Sequence, residues 1–226
     1  MKEKDMEIEH CEFPDDVYLN VENDAWLSVS PSENTAKIGA TSVLSFLAGK
    51  LTSVKFSQGK KRIITNQTVA TLESGKYFGP FRAPTSGTIA RFNVELEKNP
   101  SLINRSPYDE GWIAELESFQ SRDLDGLKRG PEARKELQAR IRELKIHCFK
   151  ALPDDEMLSI GTECSTTLAN LNELLEKSQR GRIVHLVTDD PTSDIEMIRW
   201  SDQTKNRLLE SRREGNLYHF IVEKTS

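Results

Sequence analysis

Cysteine is nearly absent from this chain: Cys11, Cys148 and Cys164 are the three among 226 residues. None forms a Cys-x-x-Cys pair, and an odd number leaves one thiol over. That suits a reducing cytoplasm better than a secreted disulfide scaffold. No apolar run is long enough to span a bilayer, so no membrane contact is expected. Met1-Lys2-Glu3-Lys4-Asp5 lacks the apolar core of a signal peptide. No dense basic patch occurs, which argues against nucleic acid as a partner. There is no glycine-rich phosphate loop and no Ser-His-Asp order. The four histidines, His10, His147, His185 and His219, are scattered. His10-Cys11 and His147-Cys148 carry four metal-ligating side chains, but their spacing has no zinc signature and reads as coincidence. His185 in an apolar strand and His219 in the final strand read as packing residues.

What is present suits one or two domains of roughly 100–150 residues each. A formal charge of −5 with 30% charged residues describes an ordinary soluble chain. The most informative stretch is Leu72-Glu73-Ser74-Gly75-Lys76-Tyr77, followed by Ala83-Pro84-Thr85-Ser86-Gly87-Thr88-Ile89. Thr68 to Leu72 is rich in β-branched and apolar residues and reads as a strand. Downstream, Ala90, Phe92 and Val94 are expected on one face of a second strand, with Arg91 and Asn93 on the other. Gly75 can supply the positive φ that a tight turn needs. Such a turn presents Lys76 to solvent.

Glu73-Ser74-x-Lys76, then Pro84-x-Ser86-Gly87 at fixed distance, resembles the lipoyl-lysine hairpin of the glycine-cleavage H proteins. Asn99-Pro100-Ser101-Leu102-Ile103-Asn104 and Pro107-Tyr108-Asp109-Glu110-Gly111-Trp112 resemble that family's second signature. The motifs span Glu73 to Trp112, and a weaker match extends from about Tyr18 to about Leu144. The resemblance implies that the Lys76 amine is joined by an amide to lipoic acid, with Glu73, Ser74 and Gly75 completing the attachment motif. Acylation removes the charge and adds a long arm ending in a redox-active dithiolane. A lipoate ligase or lipoyl transferase is then a required partner, and the domain itself makes no bonds. Biotin carriers normally flank their lysine with methionines. Gly75 and Tyr77 stand there instead, which sets biotin aside.

Taken in order, residues 1–16 are charged and lack periodicity, so they are expected to fray. Residues 17–117 are read as the lipoyl domain, with a short helix over Thr41 to Leu47 and strands at Ala36 to Ala40 and Gly49 to Val54. Ser30-Pro31-Ser32 is a break. Lys60-Lys61-Arg62 is a basic cluster beside the carrier hairpin, either a solvated turn or a selector for an acidic docking surface. Residues 118–153 read as a connector and an amphipathic helix opened by Gly130-Pro131, its stripe running through Ala133, Leu137, Ile141, Leu144 and Cys148. Cys148 is expected as a packed core thiol.

Residues 154–226 change pattern: strand, helix, strand, helix, then a hairpin around Gly215-Asn216. The second helix carries Ile195, Ile198 and Trp200. Over roughly Asp155 to Lys224 this resembles the TusA-like sulfur carriers, through Gly161-x-x-Cys164, Asp189-Asp190-Pro191, Asp194-Ile195 with Trp200, and Glu214-Gly215. The implied fold class is α+β multidomain. An all-β lipoyl domain of barrel-sandwich hybrid type with flanking helices is followed by a two-layer α/β sandwich of order βαβαββ. That family carries a persulfide on its cysteine, which makes Cys164 a candidate catalytic thiol for a sulfurtransferase half-reaction. A thiol just ahead of a helix meets free backbone N–H groups, which favours the thiolate. The family's Cys-Pro-x-Pro is here Cys164-Ser165-Thr166-Thr167. The competing reading is a degenerate docking module with Cys164 an ordinary thiol. Asp189-Asp190 reads as a turn device.

Three functions follow from the two resemblances. One is a cytoplasmic lipoyl carrier coupled to sulfur transfer or oxidation, working with a heterodisulfide-reductase-like complex. The second is a glycine-cleavage H protein, shuttling an aminomethyl group among the decarboxylase, the aminomethyltransferase and the dihydrolipoyl dehydrogenase. The third is an unmodified interaction protein. None has independent enzymatic activity, and no metal is expected.

Overall fold

The computed structural model describes residues 6–30, 35–59, 61–117 and 121–225. The Pro31-Ser32 break and Lys60 of the basic cluster lie outside them. The chain divides into two compact units, Met1–Cys148 and Phe149–Ser226.

The first unit opens with β1 (Met6–Ile8) and β2 (Cys11–Phe13), then β3 (Tyr18–Asn20), β4 (Ala25–Ser30) and β5 (Thr35–Ala40). A short helix, α1 (Ser42–Ala48), leads to β6 (Leu51–Phe56), β7 (Arg62–Ile63), β8 (Thr68–Ser74), β9 (Phe78–Arg82) and β10 (Gly87–Phe92). Single turns α2 (Glu95–Lys98) and α3 (Leu102–Arg105) precede β11 (Trp112–Glu117), β12 (Lys128–Arg129) and α4 (Gly130–Glu143). A seven-stranded sheet runs β12-β3-β4-β5-β11-β10-β7, and a three-stranded sheet runs β6-β8-β9. Both contribute to one core: Leu27, Ile38, Ile113 and Leu116 from the larger, Leu72 and Phe81 from the smaller. Alternation in β8, where Leu72 is buried and Thr71 and Glu73 are not, is what lets one sheet face the other.

Residues 1–5 lie outside the described residues, and from Met6 onward the segment is not frayed. Met6, Ile8, Cys11 and Phe13 are buried while Glu7 and Glu12 are exposed. A two-residue loop joins the strands, with Glu9 at φ +48° and His10 at φ +66°. Both values suit a primed hairpin turn, normally marked by Asn-Gly, so the hairpin is disguised by its residues. The hairpin packs on α4 through Ala133, Leu137 and Ile141, whose spacing of four makes one stripe. The helix is thus part of the first unit. Its last turn carries Arg140 and Arg142 at the negative end of the dipole.

Cys148 is not a core thiol: it forms a disulfide with Cys11 across a sequence separation of 137. That pairing removes the thiol count as an argument for a reducing compartment. It also disposes of the four-ligand arrangement, and among the described residues no His/Cys/Asp/Glu cluster could hold a metal. Among the described residues no helix is long and apolar enough to cross a membrane.

The strand β10 also departs from expectation. A bulge between Ile89 and Arg91 leaves Ala90 exposed, and β10 ends at Phe92, so Asn93, which is buried, and Val94, which is exposed, lie beyond the strand. The Asn93 amide donates to the carbonyls of Glu110 and Trp112, at 2.9 and 2.8 Å.

The second unit comprises β13 (Asp155–Ser159), α5 (Cys164–Glu176), β14 (Ile183–Thr188), α6 (Ser193–Thr204), β15 (Arg207–Glu214) and β16 (Leu217–Glu223). The sheet order is β13-β14-β16-β15, with β13 and β14 parallel and the other pairs antiparallel. Leu171, Leu175, Met197 and Trp200 of the helices pack on Val184, Leu186, Phe220 and Val222. Ile195 and Ile198 of α6 are not core residues: they are 60% and 57% exposed. Met197 takes the inward position instead, three residues before Trp200. On the other face of the sheet, His185 Nε2 and His219 Nδ1 lie 3.0 Å apart, with the Phe149 ring 4.5 Å from that of His185.

Candidate functional site

The turn joining β8 to β9 is built around one hydroxyl. Ser74 N–H donates to the Tyr77 carbonyl at 2.8 Å and closes a four-residue turn with Gly75 and Lys76 at its centre. Ser74 Oγ accepts the backbone N–H groups of Lys76 at 3.2 Å and Tyr77 at 3.1 Å. The same hydroxyl donates to the Ala48 carbonyl at 2.6 Å. Gly75 does not use the left-handed region that its identity suggested. The serine side chain satisfies the turn's donors, so the turn closes without it. A Cβ on Gly75 would meet nothing within 4 Å, which leaves the tip open on that side.

Lys76 is exposed at this tip. Its stem lies along Gly49, the residue that ends α1: a Cβ there would sit 2.5 Å from Lys76 Cε. Gly49 has φ +69°, so both its conformation and its lack of a side chain are used. Tyr77, half-buried, folds its ring over Gly79, where a Cβ would fall 2.5 Å from the phenolic oxygen. Burial first, and the Asp24 charge second, push the Tyr77 hydroxyl above its ordinary range, while Arg82 opposes them. Phe78 begins the end strand β9 and is 76% exposed beside the lysine. Glu73 is half-buried opposite Phe78 in the strand register.

Sequence reasoning singled out the Asn99 to Asn104 signature without giving it a task. Asn104 Oδ1 accepts the Leu51 N–H at 2.9 Å. Its Nδ2 donates to Gly49 O at 2.9 Å and Ser45 Oγ at 3.0 Å, with Ser45 O at 3.3 Å. These are the residues around Ala48 and Gly49 against which the lysine turn lies. The two signatures therefore meet at one corner of the fold.

Cys164 is the free cysteine, partly buried at the first position of α5. Its surroundings are acidic. Cys164 N–H donates to Asp190 Oδ2 at 2.9 Å, and Asp189 Oδ1 accepts Gly161 N–H at 2.8 Å. Asp190 Oδ1 also accepts from the backbone and hydroxyl of Thr192, which holds its carboxyl below the usual range. Burial, then Asp190 and Glu196, push the Cys164 thiol up, against a smaller opposing hydrogen bond with Thr192. The expected thiolate-favouring effect is not found: burial raises the thiol first, and the Asp190 carboxylate at the helix start adds to it. Asp189 and Asp190 act as the turn device their sequence suggested.

The glycine cleavage H-protein family matches residues 17–140. The chain belongs to that family. A glycine cleavage system H protein 2 of Aquifex aeolicus is 36% identical over 149 residues, 66% of this chain and 92% of that protein. A probable glycine cleavage system H protein 2 of Sulfolobus acidocaldarius is 33% identical over 141 residues, covering 62% of this chain and 94% of the relative. A solved glycine cleavage system H protein from Mycobacterium marinum is 22% identical with a TM-score of 0.48, covering 55% of this chain and 98% of that one. The H-protein match lies within the first unit and contains Lys76, its turn and Asn104. The second unit, with Cys164, lies outside it.

Proposed function

We propose that this H-family chain is a lipoyl carrier with Lys76 as its attachment residue. The observation that carries the reading is an exposed amine at the centre of a turn pinned by Ser74 to Ala48. The open tip fits a group that must be added by one enzyme and visited by others. Lipoate would supply a disulfide that interconverts with a dithiol at the end of a long arm. In the attachment step the Lys76 amine attacks an activated lipoyl acyl donor. The amide C–N bond forms, the acyl–oxygen bond to the donor breaks, and the amine gives up a proton. Exposed Phe78 beside the turn offers the ligase and later partners an apolar contact. Intact mass of protein from a lipoate-competent host should carry a lipoyl adduct, located at Lys76 by peptide mapping and lost in Lys76→Arg. Bare protein would overturn the reading.

For the second unit, the βαβαββ order and a free cysteine at the start of α5 support a TusA-like sulfur carrier in a cytoplasmic sulfur-transfer or sulfur-oxidation system. A Cys164 thiolate would take sulfane sulfur from a persulfide donor, forming one S–S bond as the donor's breaks. The competing reading is glycine cleavage, with its decarboxylase, aminomethyltransferase and dihydrolipoyl dehydrogenase as partners. It is favoured by the upward-shifted thiol, since that shuttle has no use for a nucleophilic Cys164. Incubation with a sulfane-sulfur donor separates the two. Added sulfur at Cys164, absent in Cys164→Ser, supports the sulfur carrier; no addition supports the glycine shuttle.

A further inference from the structure

We infer that Asn104 is a positioning residue for acylation of Lys76, acting through the corner at Ala48 and Gly49. The inference deepens the lipoyl-carrier reading and depends on it. Among the described residues, Asn104 makes its hydrogen bonds to Ser45, Gly49 and Leu51, from one side of the corner, and not to the turn or the lysine. From the other side Ser74 Oγ donates to Ala48 O, and the Lys76 stem lies along Gly49. Leu51 is also the β6 partner of Ser74 in the strand register. The corner therefore has two seats: a carbonyl that receives the turn's organising hydroxyl, and a bare Cα on which the lysine's methylenes rest.

A primary amine on four methylenes samples many rotamers when free, and ordering it costs side-chain entropy. A bed along Gly49 narrows that set before the ligase arrives. Glycine suits this position because the φ of +69° would strain another residue, and a Cβ, 2.5 Å from Lys76 Cε, would displace the lysine stem from its bed. The corner keeps its shape because Asn104 binds the Gly49 carbonyl that the end of α1 leaves open and the Leu51 N–H that opens β6, and adds a second donor to the Ser45 carbonyl, which already accepts the Gly49 N–H. Without that amide the corner loses its tie to α3, and the seat for Ser74 becomes mobile. The amine would still be exposed, but no longer held in one place.

The test uses full-length unlipoylated protein, a lipoate–protein ligase, lipoate and ATP, with amide formation followed by intact mass. Amide hydrogen exchange at Lys76 and Tyr77 gives a second readout. Asn104→Ala should lower the loading kcat about tenfold to a hundredfold with KM little changed, as expected when a reacting group is misplaced but its docking surface remains. Exchange at the Lys76 and Tyr77 amides should quicken, although Asn104 bonds to neither. Ser74→Ala, a substitution at the tip, should give a similar loss, and Ser74→Thr should restore it. The double variant Asn104→Ala/Ser74→Ala should lose no more than the worse single one, because both act through one corner. Equal loading of wild type and Asn104→Ala would overturn the inference, as would losses that simply multiply. Should Asn104→Ala fail to fold, Ser74→Ala decides: unchanged exchange and loading there sink the corner. A wild-type chain that takes no lipoate overturns the carrier reading itself, and the inference falls with it.

Discussion

Cys164 N–H donates to Asp190 Oδ2 at 2.9 Å, so the start of α5 already holds a carboxylate before any ligand arrives. A helix N-terminus lowers a thiol's pKa when its field is uncompensated. Here burial raises the thiol first, the Asp190 carboxylate accepts at the helix start, and Glu196 adds a second negative charge nearby. Asp190→Asn keeps an oxygen to accept the Cys164 N–H and removes the charge. The thiol should then titrate at lower pH than in the wild type. Alkylation of Cys164 by iodoacetamide at neutral pH should be faster in the variant, and its pH–rate profile should shift toward acid. An unchanged profile would mean that burial alone holds the thiol up.

The Cys11–Cys148 bridge ties the first hairpin to the end of the first unit, closing a long loop within it. Both cysteines are buried, at 0% and 1% exposure. In the chain-entropy account such a cross-link stabilises by restricting the unfolded ensemble, and losing it costs about 2–5 kcal/mol. Cys11→Ala/Cys148→Ala should lower the calorimetric transition of the first unit by roughly 5–15 °C. Alkylation of Cys164 should be unaffected. If the transition of the oxidised protein does not move on substitution, the bridge contributes nothing to stability.

Legibility in the sequence followed the range of the interactions. The Lys76 turn was readable because its chemistry is local: Ser74, two residues away, carries the turn, and strand alternation on either side locates it. Even there the wrong residue was credited, since Gly75 marks turns in general and Ser74 closes this one. A strand running on to Val94 is not found, because a bulge at Ala90 breaks the alternation and β10 ends at Phe92, with Val94 already turning into α2. The Glu9-His10 turn concealed β1 and β2 by placing two non-glycine residues at positive φ. The carboxylate at Cys164 comes from 26 residues further on and the partner of Cys11 from 137, and no pattern at those distances is visible in a single chain.

Asp24 and Arg140 form a bidentate pair, Oδ1 to Nε at 3.2 Å and Oδ2 to Nη2 at 2.8 Å, and Asp24 is 5% exposed. Burial outweighs the guanidinium and leaves the Asp24 carboxyl above its ordinary range. Arg140, more exposed, is pushed up chiefly by its bond to Asp24. A carboxyl raised on folding holds its proton more tightly in the folded state. Its contribution is therefore fully present below the ordinary carboxylate pKa and is lost as pH rises through the folded value. At neutral pH the ionised Asp24 is tolerated because Arg140 offsets its burial. Arg140→Ala removes that offset and should destabilise the first unit by about 3–5 kcal/mol at pH 7. The deficit should shrink as the pH is lowered and Asp24 takes up a proton. The uncharged double variant Asp24→Asn/Arg140→Leu should lie closer to wild type than Arg140→Ala at pH 7. Urea unfolding of the three proteins at pH 7 and pH 4 reads all of this. A deficit for Arg140→Ala that is the same at both pH values would mean that the arginine contributes by packing its stem, and not by its charge.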